Sequence, residues 1–388
     1  MDISYLLKPT RERRTELFRP KEALPFGELR SDHMFVMDYM DGAWQNPRIV
    51  PYGSLDSSGG VPFPPGGTNS NYGQGIFEGD KCLQHPDGQL YTFRFDQNAV
   101  RFNTSAERLC MPQIPPELQM EAVHALIDVD RLWSPQQNGA SLYIRAVMLG
   151  LDDAVGVHES KNRYVYYAFL SPSGPYYPGG FNSTVKLWIP SEFHRAVPGG
   201  TGNVKSMSNY PGTFLPAKIA RERHGARQVL YLDVTNTRLE ELGAMNHLQL
   251  TDDGELIFPE FTDTILPSIT TRSLLELAQR GYLPVQGRQQ PILLEDFIRD
   301  AVEGRIVSAG GVGTAAVIAL GGEYFPDEKL LERFSSLLKG RKSISINGGQ
   351  IDARIRNVHA IYTTIQNGTA EAPSGWLQQV ERRACLVR

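Results

Sequence analysis

The stretch SPSGPYYPGGF, residues 171–181, limits more than any other what this chain can fold into. Proline removes a backbone donor and glycine raises the cost of order, so no central strand or long helix runs through such a segment. Strand-like sequence flanks it. YVYYAFLSP, 164–172, is rich in aromatic and β-branched residues, and STVKLWIP, 183–190, alternates Val185, Leu187 and Ile189. The expected division is an N-terminal α/β domain over 1–172, a linker over 173–183 and a C-terminal α/β domain over 184–388. A chain of 388 residues is too long for one ordinary core, which agrees.

Composition excludes several classes. Apolar residues make up 41% and charged residues 21%, as in a globular protein. A net charge of −4 gives no broad electrostatic case for nucleic acid. The three cysteines, Cys82, Cys110 and Cys385, are scattered and odd in number, so neither a disulfide framework nor a metal site is expected. No apolar run reaches membrane-spanning length, and the charged start MDISYLLKPTRERRTELF lacks the apolar centre of a signal peptide. Its arginines have a faint transit-peptide flavour that its acidic residues argue against. A cytoplasmic protein with no membrane partner is expected.

Periodicity and turn signals outline the elements. Residues 33–53 read as strands around Asp-Gly and Asn-Pro turns, 61–71 as a loop, and 89–95 as a strand. Asp96 is the expected N-cap of a helix reaching about Arg108. In the second half, strands are expected at 228–234 and in a hairpin around Asp253-Gly254, and helices after Tyr210 and over 273–280 and 295–304. Strict strand–helix alternation is missing, so the fold class is a mixed α/β (α+β) arrangement.

One segment carries chemistry. In RAVPGGTGNVKSMSNY, 195–210, Lys205 follows Gly199, Gly200 and Gly202 and precedes Asn209-Tyr210. Glycines let a backbone approach a ligand closely, and a lysine held there can react with a carbonyl. By residue type alone, a solvated lysine after a loop remains open. The neighbours decide otherwise. This segment, with YGQGIFEGDK (72–81), FRFDQNAVRFNTSAERLCMP (93–112), LYIRAVMLG (142–150), EELGAMN (240–246), LPSITTRSLLELA (266–278) and GVGTAAV (311–317), resembles in order the motifs of branched-chain amino acid aminotransferases. These are pyridoxal phosphate enzymes of fold type IV.

The resemblance implies two domains with the cofactor site between them, and a role for each matched position. Lys205 aligns with the Schiff-base lysine and general acid–base. Glu241 aligns with the carboxylate beneath the pyridine nitrogen, with Glu240 as competitor. Tyr210 aligns with the tyrosine on the phenolate oxygen and Arg101 with the phosphate-binding arginine. Ile269 and Thr270, at a helix start, and Thr314 complete the phosphate cradle. Ala315 points its N–H at the substrate carboxylate, and Ala244 stands at a second carboxylate contact. Phe77, Tyr143 and Arg145 align with the pocket wall, apolar for Leu, Ile and Val and polar for the distal carboxylate of glutamate. Tyr72 lines a neighbouring subunit's pocket in a homodimer. The implied activity is ping-pong transfer from L-branched-chain amino acids to 2-oxoglutarate.

Some positions depart from the pattern: Asn71, Asp80, Cys82, Met207, Ser208, Ala244 and Ser268. All touch the pocket or its support, so a fold type IV enzyme for a different or unusual amino acid, in secondary metabolism, is the alternative. D-amino acid aminotransferases and aminodeoxychorismate lyases share that fold. Gly311, Gly313 and Ala316 also fit a dinucleotide pattern, a weak signal that comes too late in the chain for such a domain. A non-catalytic protein is hard to motivate when Lys205, Glu241, Tyr210 and Arg101 are all kept.

Overall fold

The computed structural model describes residues 1–18, 24–53, 63–136, 139–176 and 180–383. Residues 177–179 of the expected linker and Cys385 lie outside these. The strands in chain order are β1 (Ser4–Tyr5), β2 (His33–Met40), β3 (Ala43–Pro51), β4 (Gly75–Gln84), β5 (Leu90–Phe93), β6 (Ser141–Gly150), β7 (Tyr164–Ser173), β8 (Val185–Ile189) and β9 (Gln228–Leu232). They continue with β10 (Leu239–Leu242), β11 (Met245–Thr251), β12 (Glu255–Pro259), β13 (Gln286–Gln290), β14 (Ile306–Gly313), β15 (Val317–Pro326), β16 (Ile344–Ser345) and β17 (Leu377–Gln379). The helices are α1 (Thr68–Tyr72), α2 (Phe95–Arg108), α3 (Pro116–Val129), α4 (Phe214–His224), α5 (Ile269–Gln279), α6 (Leu294–Val302), α7 (Glu328–Arg333), α8 (Ser335–Leu338) and α9 (Ala353–Gln366).

The chain forms two compact units. Unit 1 is Met1–Tyr176 with Lys205–Ser208 and Ile365–Arg388; unit 2 is Tyr177–Val204 with Asn209–Thr364. The ranges expected from sequence put everything from 184 onward in one body. The contacts instead give unit 1 a four-residue excursion, 205–208, and the closing segment, whose β17 pairs with β5.

Unit 1 is a sheet in the order β1-β3-β2-β7-β6-β4-β5-β17, antiparallel except for the β1–β3 edge. One face packs on α2 and α3 through Phe35, Ile76, Ile144, Phe102, Val123 and Leu126. Helix α2 buries Phe95, Asn98, Ala99, Arg101, Phe102, Ser105 and Ala106, a helical stripe in which three members are polar. The expected N-cap is corrected. Arg94, left-handed with its guanidinium 4.2 Å from the Trp376 ring centroid, begins the helix. Asp96 lies in the first turn and accepts hydrogen bonds from the side chains of Gln97 and Gln378. Of the loop expected over 61–71, residues 61–62 lie outside the described residues, and α1 begins within the rest at Thr68.

In unit 2 the sheet order is β10-β9-β8-β15-β14-β11-β12-β13, with β16 on β15. Strand β10 pairs with β9 and again with β11, which closes β10, β9, β8, β15, β14 and β11 into a ring. Leu187, Leu230, Leu242, Phe297, Ile298 and Tyr324 belong to the core of this unit. The dinucleotide reading of Gly311, Gly313 and Ala316 is excluded by geometry. These residues sit on the β14–β15 hairpin, where a strand–turn–helix would be needed. Among the described residues, no helix is long and apolar enough to cross a membrane, and no cluster of metal-ligating side chains occurs.

Candidate active site

In unit 1, strand β4 divides its side chains by alternation. Glu78, Asp80 and Cys82 are buried, and Glu78 faces α2. Arg101 grips Glu78 with a planar fork, Nε to Oε1 at 2.7 Å and Nη2 to Oε2 at 2.8 Å, and Asn98 Nδ2 donates to Oε2 at 2.8 Å. Burial alone would raise the Glu78 carboxyl, but the Arg101 charge and hydrogen bonds, followed by Lys205 and Asn98, hold it below its ordinary value. Burial and the nearby Glu78 charge push Asp80 up to about 8, against the opposing Lys81 charge and the backbone N–H groups of Lys81 and Phe93.

The other face of β4 and β6 carries Phe77, Tyr143 and Arg145. The Arg145 guanidinium lies 4.6 Å from the Phe77 ring centroid and donates from Nη2 to the Tyr143 hydroxyl at 3.3 Å. Its buried Nε has no hydrogen-bond partner among the described residues. A Cβ at Gly79 would run into the Tyr143 hydroxyl, so the glycine makes room for that ring. Tyr72 ends α1, is 41% exposed, and so is turned to solvent within this chain.

Lys205 enters unit 1 on the N-terminal half of β4. Ser206 bridges Ile76, the Phe77 N–H donates to the Lys205 carbonyl at 3.2 Å, and the Lys205 Nζ lies 4.8 Å from the Phe77 ring centroid. Met207 packs beside Asn69 of α1 and Gly75 of β4.

In unit 2, the loop before Lys205 needs its glycines. Gly199 has φ +74°, and a Cβ on Gly202 would fall 2.5 Å from the Thr264 carbonyl oxygen. Asn209 locks the loop by donating from Nδ2 to the carbonyls of Thr201 (2.7 Å) and Val204 (3.0 Å). The two glutamates of EELGAMN are separated by a β-bulge. Leu239 faces Leu232 and Glu241 faces Tyr231, leaving Glu240 as the extra residue. Glu240 accepts the Thr264 hydroxyl at 2.5 Å and lines a cavity with Asp233 and Asp263.

Glu241 is 2% exposed and meets a different set of groups. It pairs with Arg195 and accepts Asn246 Nδ2 at 2.9 Å, while Thr271 Oγ1 donates to Asn246 Oδ1 at 3.0 Å. This chain of bonds joins Glu241 to the first turn of α5. There Ser268 caps the helix by accepting the Thr271 N–H, and the N–H groups of Ile269 and Thr270 have no intrahelical acceptor. Tyr210 lies beside Arg195, whose guanidinium carbon is 5.8 Å from the Tyr210 ring centroid. Ala244 is at the β10–β11 turn, and Thr314 and Ala315 are at the β14–β15 turn. Because Asn246 faces Val312, the two turns share one end of the ring with Glu241.

The structure thus gathers Lys205, Phe77, Tyr143 and Arg145 in unit 1, with Arg101 on α2. In unit 2 it gathers Tyr210, Glu241, Ala244, Thr314 and Ala315 with the α5 start. Sequence reasoning missed Glu78, Asn98 and Ser105 on the first side, and Arg195, Asn246 and Thr271 on the second. The signal for Asn98, Arg101 and Ser105 was polar residues at helical spacing on an apolar face. Arg195 opens the glycine-rich motif, and Asn246 closes EELGAMN.

The family model described as amino-transferase class IV matches residues 75–313. Branched-chain-amino-acid aminotransferase 2 of Bacillus subtilis is 36% identical over 359 residues, 92% of each chain. A branched-chain-amino-acid aminotransferase of Mycobacterium tuberculosis is 33% identical over 361 residues, again 92% of each. The crystal structure of the Escherichia coli branched-chain amino acid aminotransferase superposes with a TM-score of 0.70 at 22% identity, covering 89% of this chain and 99% of that one. A Thermoproteus uzoniensis branched-chain aminotransferase, solved with norvaline, gives 0.67 at 19% identity, covering 89% of this chain and 100% of the other. The architecture is fold type IV, and the chain belongs to the class IV aminotransferases and, within them, to the branched-chain-amino-acid aminotransferase family.

Proposed function

We propose that this aminotransferase moves the amino group of L-leucine, L-isoleucine or L-valine to 2-oxoglutarate in two half-reactions at one site. The cofactor is pyridoxal phosphate, which when bound supplies an electron sink for charge developing at the substrate Cα. The donor set of the chain fits that group. A primary amine is present at Lys205, a buried carboxylate for a ring nitrogen at Glu241, and a hydroxyl for a phenolate at Tyr210. For a phosphate there are the charge of the Arg101 guanidinium, whose Nε and Nη2 are engaged by Glu78, the helix-start N–H groups of Ile269 and Thr270, and the Thr314 hydroxyl.

Lys205 Nζ would hold the cofactor at its carbonyl carbon, and the same amine would move the proton of the substrate Cα. Glu241, kept in place by Arg195 and Asn246, would favour the protonated form of the ring nitrogen. The Ala315 N–H binds the substrate carboxylate. Phe77 gives the side chain an apolar wall that excludes water.

The observation that carries the substrate reading is that Lys205 Nζ and the Arg145 guanidinium share the Phe77 ring, at 4.8 and 4.6 Å from its centroid. An apolar surface suits a branched aliphatic side chain, and the cation beside it suits a distal carboxylate. The purified protein loaded with cofactor is expected to absorb visible light, to bleach with L-leucine and with L-glutamate, and to be unaffected by D-alanine. Bleaching only with another amino acid would keep the reaction class and replace the substrate. Tyr72, exposed in this chain, is proposed to reach the pocket of a second copy in a homodimer.

A further inference from the structure

Ser105 is fully buried on α2, one turn beyond Arg101. A serine hydroxyl has one proton to donate and lone pairs to accept with, and this one uses both capacities. Its Oγ donates to the Arg101 carbonyl at 3.1 Å and accepts the Lys205 N–H at 2.9 Å. The carbonyl of Lys205 is held from the other side by the Phe77 N–H. Arg101 is in turn fixed to the same strand, β4, by its fork on Glu78.

These bonds close a circuit. It runs from the Lys205 N–H through the Ser105 hydroxyl to Arg101, across to Glu78, along β4 to Phe77, and back to the Lys205 carbonyl. A lysine side chain is a flexible four-carbon stem, so its amine is only as well placed as the backbone it grows from. Ser105 supplies a side-chain contact from α2 to the Lys205 backbone, on the same helix as Arg101. Serine inside a helix is otherwise a weak choice, because its hydroxyl competes for backbone groups.

From this circuit we infer that Ser105 is a positioning residue for the aminotransferase reaction. It fixes the backbone of Lys205 relative to Arg101, and through it the point where the amine meets the carbonyl carbon of a cofactor whose phosphate Arg101 holds. The inference rests on the roles proposed above for Lys205 and Arg101. Small displacements of a reacting group are costly in rate, so the effect belongs in kcat.

The test compares Ser105→Ala and Ser105→Thr with wild type in the full chain. In cofactor-free protein, backbone hydrogen exchange of residues 204–208 is expected to quicken at least tenfold in Ser105→Ala and to stay near wild type in Ser105→Thr. Exchange in α5 should be the same in all three. In loaded protein, Ser105→Ala is expected to lose about tenfold in kcat with KM for L-leucine changed less than twofold. The pH midpoint of its visible absorption should move, and Ser105→Thr should restore both.

Wild-type exchange and kcat in Ser105→Ala would overturn the inference. A lower melting temperature with unchanged kcat and absorption midpoint would also overturn it, since that is a structural role alone. If Ser105→Ala does not fold, Ser105→Cys, which keeps the shape with a weaker acceptor, should show the same two effects in reduced form; wild-type behaviour of Ser105→Cys would overturn the inference. Borohydride reduction of wild type separates the two levels. No cofactor mass on Lys205 would overturn the underlying reading as well, whereas mass on Lys205 with an indifferent Ser105→Ala overturns the inference alone.

Discussion

Glu78 and Asp80 stand two residues apart on one face of β4, equally buried, and their surroundings drive them in opposite directions. The Glu78 carboxyl is lowered, so its contribution to stability is in force above its ordinary value of 4.5 and is lost as pH falls through the lower folded value. Glu78→Gln leaves the Arg101 charge buried without its partner and should cost about 3–5 kcal/mol at pH 7 by chemical denaturation. The gap from wild type should narrow as pH falls below 4.5. Asp80 is raised, so the folded protein keeps a proton that the unfolded chain releases, and stability is lost as pH rises from 3.8 toward about 8. Asp80→Asn should therefore stabilise, by more than about 1 kcal/mol at pH 8, with a gain in melting temperature that grows between pH 4 and pH 8. At Lys205 the expectation is chemical. Lys205→Ala should lose the visible absorption of the loaded protein and at least ~10²-fold of transamination rate; a coloured, active variant would sink the assignment.

Helix α5 shows how an element carries function. Its capping residue is Ser268, whose hydroxyl takes the Thr271 N–H. Ser268→Ala should cost about 0.5–2 kcal/mol and weaken cofactor retention, as followed by dialysis and absorbance. Asn246→Ala should remove the bond that ties Glu241 to Thr271 of the same helix. The measurement is activity per bound cofactor, which should fall while cofactor content holds; full activity would show that Arg195 alone orients Glu241. At this scale much was legible. Alternation over 183–190 and the Asp253-Gly254 turn predict strand and hairpin, and β8, β11 and β12 are there. Asp96 is not the cap because Arg94, held over the Trp376 ring from the far end of the chain, is left-handed and begins the helix. Helices α3 and α9 went unread, although Pro116 at the first helical position of α3 was a usable signal.

For the whole molecule, the proposed cofactor ligands are distributed over both units. Arg101 and Lys205 belong to unit 1, and Tyr210, Glu241, Thr270 and Thr314 to unit 2. Loading at a hundredfold excess over Kd should stabilise the protein by about 2.7 kcal/mol. Hydrogen exchange should slow on loading in α2 and in α5 alike. Protection confined to one unit would contradict the proposed ligand set.

The sequence by itself determined the residue types and their order: a lysine after a glycine-rich turn, an arginine at helical spacing, paired glutamates before a turn, and threonines at a helix start. It also determined the local periods that build strand and helix, because these depend on neighbours within a turn or two. Only the tertiary structure decided which of Glu240 and Glu241 faces Arg195 and Asn246, since a one-residue bulge against β9 sets that. It alone closed β10 onto β11, returned residues 365 onward to unit 1, and brought the Lys205 N–H to Ser105 across a hundred residues of chain. Such contacts come from packing between distant segments, where each buried donor must find an acceptor, and no local period encodes that choice.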